Sequence, residues 1–484
     1  MSIVHKAFKA ATWFALFRVV SQTFSWVATI IIARILVPED YGLMEMATIL
    51  TGYVVLFSEL GLGAAIIQRE DIQDEELSSL FWFVVFWGFV WGLSCIILAY
   101  PTVAIFNEVR IFRVTQAASL LYILGSLLIV PRNILTRELR YKTIGFIDTV
   151  AVIISCTLMI VIAKCGGGVW TLIGGLIIRD FIRAIIVFPV ISWRPTFHFN
   201  FVEIRPFLKF GLNIAAGRTL YYMYTKSDRF FGGRILGSAI LGYYSFALQL
   251  SSIPTDKLVS FINSVSFPVF SRYQKKNDKF NKFFLRLVKM IAFITFPIYI
   301  GGFFIADELI PLILGSKWMS IIVPFKFLCL AQLIISITTV NAVVINAKGL
   351  PHWNLYVNMI NVLLMPASFY IAAKHGLNYL VIPWLTIQPL VRIGQTWITL
   401  RLLAISISDY FKSLMHPLFA VVTMLFVLSL SKFIYFQTLN PHFTNLVPYL
   451  VLTIIMGIIS YAGYVMIFNR SFITALINIT KIEV

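Results

Sequence analysis

Several arginines fall inside stretches of the chain that are otherwise apolar. Arg18, Arg218 and Arg392 each lie in such a stretch without an acidic residue at helical pairing distance in the sequence. A guanidinium group suits phosphate because its planar fork donates two parallel hydrogen bonds. Ionisable groups inside apolar spans normally face a bundle interior or a water-filled cavity. We therefore expect these three arginines to bind an anion that carries phosphate.

Polar side chains repeat around these arginines at three- to four-residue spacing, which places them on single helical faces. Gln22 follows Arg18 by one helical turn. Tyr222 and Lys226 follow Arg218 by one and two turns. Such stripes are typical of a polar cavity inside a membrane protein. The cavity residues that the sequence predicts are Arg18, Gln22, Arg218, Tyr222, Lys226, Gln249 and Arg392.

Two carboxylates inside the apolar stretches are candidates for ion coupling. Glu45 shares a helical face with Thr48 and Gly52. Asp256 ends a polar stripe in the eighth apolar stretch. A carboxylate inside a membrane relays a proton or binds a cation. The cysteines and histidines show no metal-ligand spacing, so we expect neither a metal site nor a cofactor.

Each polar group also has a structural interpretation. Helices in lipid are held together by serine, threonine and asparagine, which explains the asparagines between 354 and 361 equally well. Lys226 lies beside Asp228 near a predicted helix end, where its long side chain can reach the membrane surface. Residues 179–183 contain two arginines around Asp180, so local charge pairing is expected there.

The elements that must carry these residues follow from composition. The chain has 484 residues, of which 59% are hydrophobic and 12% charged, and its mean hydropathy is +0.88. Soluble proteins carry roughly a quarter charged residues, so a soluble enzyme or an ordinary nucleic-acid binder is excluded. The apolar runs are continuous, which excludes the alternating strands of a membrane β-barrel.

The apolar runs predict an all-α polytopic membrane protein with about fourteen transmembrane helices, because a helix of about 20 residues crosses a bilayer. The runs lie near 12–36, 42–67, 79–100, 114–134, 145–163, 169–192, 208–231, 239–262, 286–306, 320–346, 355–373, 379–402, 414–436 and 447–468. The connections between them are short, so the chain has no room for a soluble domain.

The basic residues predict the orientation of these helices. The formal net charge is +18, and more than half of the 39 lysines and arginines fall on one side of the predicted spans. Arg229 and Arg234 are among the few on the opposite side. Because basic loops stay in the cytoplasm, both termini are expected there. Most of the positive charge is thus a topology signal, and no nucleic-acid partner is expected.

A repeat with a spacing of 200 residues divides the chain. The tripeptide Arg-Ile-Leu at 34–36 recurs at 234–236, and Gly42 recurs as Gly242. The second copy begins after six spans, so both copies enter the membrane in the same direction. We expect two parallel-repeat six-helix bundles around a central cavity. The predicted parts are 1–205, 206–404, and 405–484 with two additional helices and a cytoplasmic tail.

Four runs of sequence carry a resemblance to a known family. These runs are ARILVPEDYGL at 33–43, ELGLGAAIIQ at 59–68, LGYYS at 241–245 and GSKW at 315–318. They resemble signatures of bacterial polysaccharide flippases of the Wzx type, within the MOP (MATE/MurJ-like) superfamily. The chain resembles the colanic acid exporter (WzxC-like) branch in particular, over nearly its whole length.

The resemblance implies a flippase in the bacterial inner membrane. Such proteins use alternating access to translocate an undecaprenyl-diphosphate-linked oligosaccharide for surface polysaccharide synthesis. The diphosphate would be the anion that Arg18 and Arg218 meet. Membrane lipids and the polysaccharide polymerase and chain-length machinery are the other implied partners.

Two further classes of function stay open. An ion-coupled drug antiporter of the same superfamily needs a compact acidic and aromatic pocket. An integral-membrane polymerase or ligase usually has a large extracytoplasmic loop, and the longest candidate here, near 432–446, is short. The sequence contains no HExxH, GxxxxGK[ST], GxSxG or paired CxxC motif, so we expect no catalytic residue.

Overall fold

The computed structural model describes residues 3–58, 66, 72–273, 277–438 and 446–469. Within these ranges the regular secondary structure is helical and no strand occurs, which confirms the prediction of an all-α protein. The predicted cytoplasmic tail, from residue 470 onward, lies outside the described residues.

The described residues lie mainly in helices. In chain order they are α1 (Ile3–Ile35), α2 (Pro38–Ser58), α3 (Asp74–Phe106), α4 (Ile111–Arg137), α5 (Tyr141–Lys164), α6 (Val169–Val190), α7 (Phe201–Tyr273), α8 (Asn277–Leu314), α9 (Ile322–Ala347), α10 (Pro351–Ala373), the short α11 (Ile382–Leu385), α12 (Ile387–Leu403), α13 (Ile407–Thr438) and α14 (Leu446–Phe468). Lipid offers no hydrogen-bond partners to the backbone. A helix pairs its own N–H and C=O groups within the segment and is therefore suited to cross the membrane.

Nine helical segments of the described chain are long and apolar enough to cross a membrane. Among them, Tyr141–Lys164 has a mean hydropathy of 2.4 and Leu446–Phe468 one of 2.2. The chain is therefore a multi-pass membrane protein. Each of the fourteen stretches predicted from the sequence overlaps a helix, and the number of them that cross the membrane stays a prediction.

Two compact units make up the chain, unit 1 (Met1–Ser245) and unit 2 (Phe246–Val484). Unit 1 includes the first part of α7, where the Tyr222 hydroxyl donates a 2.9 Å hydrogen bond to the Ile49 carbonyl of α2. The division into three parts at residues 205 and 404, expected from the sequence, stays a prediction.

The core of unit 1 is built from apolar side chains on α3, α4 and α5. Leu80 of α3, Val130 of α4 and Ile147 of α5 belong to one buried cluster. The hydroxyl group of Tyr122, on α4, donates a 2.6 Å hydrogen bond to the carbonyl oxygen of Thr51 on α2. This hydrogen bond attaches α2 to α4.

The core of unit 2 is rich in aromatic side chains. Phe270 at the end of α7 and Phe284 of α8 are fully buried, and Tyr410 of α13 belongs to the same cluster. Farther along these helices, the Nζ atom of Lys432 on α13 lies 2.7 Å from Oε1 of Glu308 on α8. Both contacts attach α13 to α8.

Helix α7 is interrupted at Gly237. Its φ of 83° and ψ of 176° are not helical, and a positive φ strains residues that carry a Cβ atom. The sequence predicts two separate helices here, at 208–231 and 239–262. The break at Gly237 lies in the gap between these two predicted helices and confirms the division of α7 into a first arm (201–236) and a second arm (238–273).

In unit 1, α2 and the second arm of α7 cross at two glycines. A Cβ atom added to Gly42 would overlap the carbonyl group of Ser238, and one added to Gly242 would overlap that of Pro38. The contact is reciprocal, because the 200-residue spacing relates Gly42 to Gly242 and Pro38 to Ser238. Reciprocal contacts are what a two-fold axis produces, while the repeat of two whole bundles stays a prediction.

Alanine at either crossing glycine is expected to destabilise the protein by about 1–3 kcal/mol, because the two backbones must separate to admit a methyl group. The matched control is Gly125→Ala in α4, where an added Cβ meets no described atom within 4 Å and alanine favours the helix. Thermal unfolding in detergent measures the difference. Equal unfolding temperatures for Gly42→Ala, Gly242→Ala and Gly125→Ala would contradict the close crossing.

Candidate functional site

A cluster of charged side chains joins α2 to the first arm of α7 in unit 1. The Nζ atom of Lys226 lies 3.6 Å from Oε2 of Glu45, and Nε of Arg229 lies 3.4 Å from the same oxygen. That oxygen is buried, and the Arg229 side chain is only 15% exposed. Attraction between opposite charges is strong in such a medium of low dielectric constant.

A second buried carboxylate completes this cluster. Asp228 is fully buried, and its Oδ2 atom accepts a 2.8 Å hydrogen bond from the hydroxyl group of Tyr244 in the second arm of α7. Its Oδ1 atom accepts a 2.6 Å hydrogen bond from the backbone N–H of Arg229. We call Glu45, Lys226, Asp228 and Arg229 the Glu45 cluster.

Two acidic and two basic side chains balance one another in the Glu45 cluster. The sequence places Lys226 beside Asp228, whereas the ion pair in the structure is with Glu45. Tyr222, another predicted cavity residue, hydrogen-bonds to α2 one turn of α7 before Lys226. The structure thus brings Glu45, Tyr222 and Lys226 together, and their roles in ion coupling and substrate binding stay predictions.

Arg229 is the member of the cluster that the sequence analysis does not select as a site residue. It is counted there among the basic residues on the outer side of the predicted spans, and the structure places it in α7 beside Glu45. Lys226 and Arg229 are three residues apart, which places both on one helical face. The three-residue spacing of Lys226 and Arg229, together with a single glutamate in another apolar stretch, is the feature of the sequence that indicates these ion pairs.

The predicted cavity residues of α1 and the start of α7 lie elsewhere in unit 1. Arg18 has an exposed side chain and Gln22 is half-buried. Next to them, the hydroxyl group of Thr149 on α5 donates a 3.1 Å hydrogen bond to the Phe17 carbonyl. Arg218 lies in the first arm of α7, and its side chain lies outside the described residues. A ligand shared by Arg18 and Arg218 stays a prediction.

In unit 2, Arg392 belongs to a chain of hydrogen-bonded side chains across α12, α10 and α9. Its NH1 group donates to Gln395 at 3.4 Å, and Gln395 donates to Asn354 at 3.0 Å. Asn354 donates in turn to Asn346 at 2.8 Å. The interhelical role considered for the asparagines of this segment is thus confirmed for Asn354.

The remaining predicted residues of unit 2 lie on the second arm of α7. Gln249 and Asp256 both have exposed side chains. The Oδ2 atom of Asp256 accepts a 2.8 Å hydrogen bond from the hydroxyl group of Ser252, one turn earlier. Their proposed roles in substrate binding and ion coupling stay predictions.

An ion triad lies beside the glycine crossing. NH2 of Arg110 is 2.7 Å from Oε1 of Glu39 and 2.7 Å from Oε2 of Glu108, and the Ser238 hydroxyl donates to Glu39 at 3.3 Å. The hydrogen bond from Arg110 lowers the pKa of the Glu108 carboxyl group, in the loop between α3 and α4. Its contribution to stability is therefore present at neutral pH and is lost as the pH falls through that lowered pKa.

The succession of long apolar helices defines the class of polytopic membrane proteins. The fold is similar to that of the lipid II flippase MurJ in an inward closed conformation, with a TM-score of 0.73. The match covers 95% of this chain and 99% of that one at 15% identity, so it shows the fold alone.

The family follows from the sequence match. Residues 31–323 match the family described as polysaccharide biosynthesis protein. The chain belongs to this family, which confirms the resemblance drawn from its motifs.

Two relatives illustrate the family. The lipopolysaccharide biosynthesis protein WzxC of Escherichia coli strain K12 is 28% identical over 344 residues, which cover 70% of this chain and 69% of WzxC. The teichuronic acid biosynthesis protein TuaB of Bacillus subtilis strain 168 is 24% identical over 384 residues, 77% of this chain and 78% of TuaB.

Replacing Glu45 with alanine is expected to lower stability by about 1–3 kcal/mol, because Lys226 and Arg229 lose their partly buried counter-ion. The matched control is Glu138→Ala in the same unit, whose ion pair with Arg140 is exposed to solvent and contributes about 0–1 kcal/mol. Thermal unfolding of the purified variants compares them. The assignment fails if Glu45→Ala unfolds at the same temperature as Glu138→Ala.

Proposed function

We propose that this protein is a flippase that moves a lipid-linked oligosaccharide across the cytoplasmic membrane of a bacterium. The observation that carries the proposal is membership of the polysaccharide biosynthesis protein family. The relatives WzxC and TuaB are named for the biosynthesis of lipopolysaccharide and teichuronic acid. The likeness of the fold to a lipid II flippase, over nearly the whole chain, supports the same function.

The proposed cargo is an undecaprenyl-diphosphate-linked oligosaccharide repeat unit. A head group with two phosphates and many hydroxyl groups cannot enter hydrocarbon, because desolvation of each polar group costs several kcal/mol. Cationic and polar side chains inside the membrane-spanning body would replace that hydration. The residues proposed for this role are Arg18, Gln22, Arg218, Tyr222, Lys226, Gln249 and Arg392.

The Glu45 cluster supplies a proposal for ion coupling. Glu45 balances the charge of Lys226 and Arg229 while it is ionised. Protonation of Glu45 would leave these two cations with a surplus of positive charge, which favours the arrival of the diphosphate. Deprotonation would restore the ion pairs and favour release. Asp256 is the corresponding candidate in unit 2.

The proposed topology has both termini in the cytoplasm of the inner membrane, with transport by alternating access. The excess of basic residues on one side of the spans supports this orientation. Polysaccharide polymerase and chain-length proteins are the proposed partners, since they act on the translocated repeat unit.

Cells that lack this protein are expected to accumulate complete lipid-linked repeat units on the cytoplasmic face, because synthesis continues while translocation stops. Extraction and mass spectrometry of the lipid-linked sugars measure the accumulation, and the wild-type gene on a plasmid is the control. Sensitivity to drugs without such accumulation would favour the antiporter and reject the flippase.

Alanine at Arg18, Arg218 or Arg392 is expected to reduce transport at least tenfold while the amount of protein in the membrane stays normal. Each change removes a fork that binds phosphate. The matched control is Arg113→Ala, which removes an exposed arginine near the beginning of α4. Complementation of the deletion strain measures transport. Full activity of an alanine variant would remove that arginine from the proposed site.

A further inference from the structure

We propose that Arg179 is an anion-binding subsite for a phosphate group, at the accessible end of a chain of alternating arginines and aspartates in unit 1. This inference rests on the proposed flippase function and names a further contact for its cargo. This series of paired side chains consists of Arg132, Asp148, Arg183, Asp180 and Arg179, and we call it the arginine–aspartate ladder.

The ladder connects three helices through short ion pairs. Arg132 of α4 donates through both terminal nitrogens to the two carboxylate oxygens of Asp148 on α5, at 3.1 and 2.9 Å. Arg183 of α6 lies between two aspartates, with Nε 3.0 Å from Asp148 and NH1 3.0 Å from Asp180. Arg179 donates through Nε to Asp180 at 3.2 Å.

Three cations and two anions leave the ladder with a surplus of one positive charge. Arg132 neutralises Asp148 through a bidentate pair, and Arg183 neutralises Asp180. Arg179 shares with Arg183 a single oxygen of Asp180. Its contacts among the described residues leave both terminal NH2 groups without a carboxylate. The surplus charge therefore belongs to Arg179.

The position of Arg179 requires a polar environment. It is at the centre of α6 (Val169–Val190), about 15 Å from either end at the helical rise per residue. Its side chain is 33% exposed. The predicted span 169–192 places this accessible guanidinium group about halfway across the membrane, where it faces water or a polar ligand, since hydrocarbon contact at that depth is costly.

The ladder also gives Arg179 a fixed orientation. Asp180 accepts the hydrogen bond from its Nε atom, which leaves the edge formed by its two terminal NH2 groups for another partner. That free edge matches two oxygens of one phosphate group. In the proposed topology Arg132 lies near the cytoplasmic end of α4, so the ladder leads from that side to the middle of the membrane.

The proposed anion is the diphosphate of an isoprenoid lipid, and free diphosphate and a phospholipid head group are the other sources of the same phosphate chemistry. A binding experiment on the full-length protein in phosphatidylcholine nanodiscs separates these sources. The probes are undecaprenyl diphosphate, undecaprenol, inorganic diphosphate and phosphatidylglycerol. Native mass spectrometry measures the affinity of each probe for the wild type, Arg179→Gln, Arg179→Lys and the control Arg113→Gln.

We expect Arg179→Gln to weaken undecaprenyl diphosphate binding at least tenfold and Arg113→Gln to change it less than twofold. Arg179→Lys keeps the charge but loses the planar fork, so we expect an intermediate loss of affinity. This variant provides the test if Arg179→Gln does not fold. If inorganic diphosphate competes with undecaprenyl diphosphate, the diphosphate group alone is sufficient for binding. If it does not compete, the isoprenoid chain is also needed. Each of these two results supports the subsite.

Three results would overturn the subsite. The first is equal affinity of the wild type and Arg179→Gln for undecaprenyl diphosphate. The second is equal affinity of the wild type for undecaprenol and for undecaprenyl diphosphate. The third is displacement of undecaprenyl diphosphate from the wild type by phosphatidylglycerol. A wild type that binds no undecaprenyl diphosphate would reject the proposed function itself. A wild type that binds it as tightly as Arg179→Gln rejects only the role of Arg179.

Discussion

The burial of the Glu45 carboxylate determines how the polar part of unit 1 is arranged. A charged side chain at the centre of a membrane helix costs roughly 2.5–3.5 kcal/mol on insertion scales, so a buried glutamate needs cations beside it. Lys226 and Arg229 supply them from α7. The ion pairs therefore fix the first arm of α7 against α2, and Tyr222 reinforces the contact through the Ile49 carbonyl.

The glycine crossing makes this arrangement sterically possible. Gly42 and Glu45 are three residues apart on α2, so the approach of the second arm of α7 at Gly42 and the ion pairs at Glu45 occur within one helical turn. A larger side chain at residue 42 would move α2 away from both arms. Backbone atoms form this close approach, and the Ser238 hydroxyl group adds a hydrogen bond to Glu39 across it.

The sequence predicts the helices well because hydropathy alone locates them. It also singles out Glu45, Tyr222 and Lys226, since polar groups inside apolar stretches are conspicuous. It does not predict their pairing, because the face that α2 turns toward α7 is set by packing between distant segments. The sequence does separate 208–231 from 239–262, and the backbone break at Gly237 lies between these two stretches.

Reconstituted transport tests the central claim most directly. Liposomes that contain the protein and a fluorescent undecaprenyl-diphosphate-linked oligosaccharide are exposed to a reductant that cannot cross the membrane. The flippase account predicts that nearly all of the fluorescence is lost with the wild type, while liposomes without protein lose only the outer-leaflet signal. The measurement is made with a proton or sodium gradient imposed in either direction. Equal losses of fluorescence from liposomes with and without the protein under all of these conditions would contradict the account.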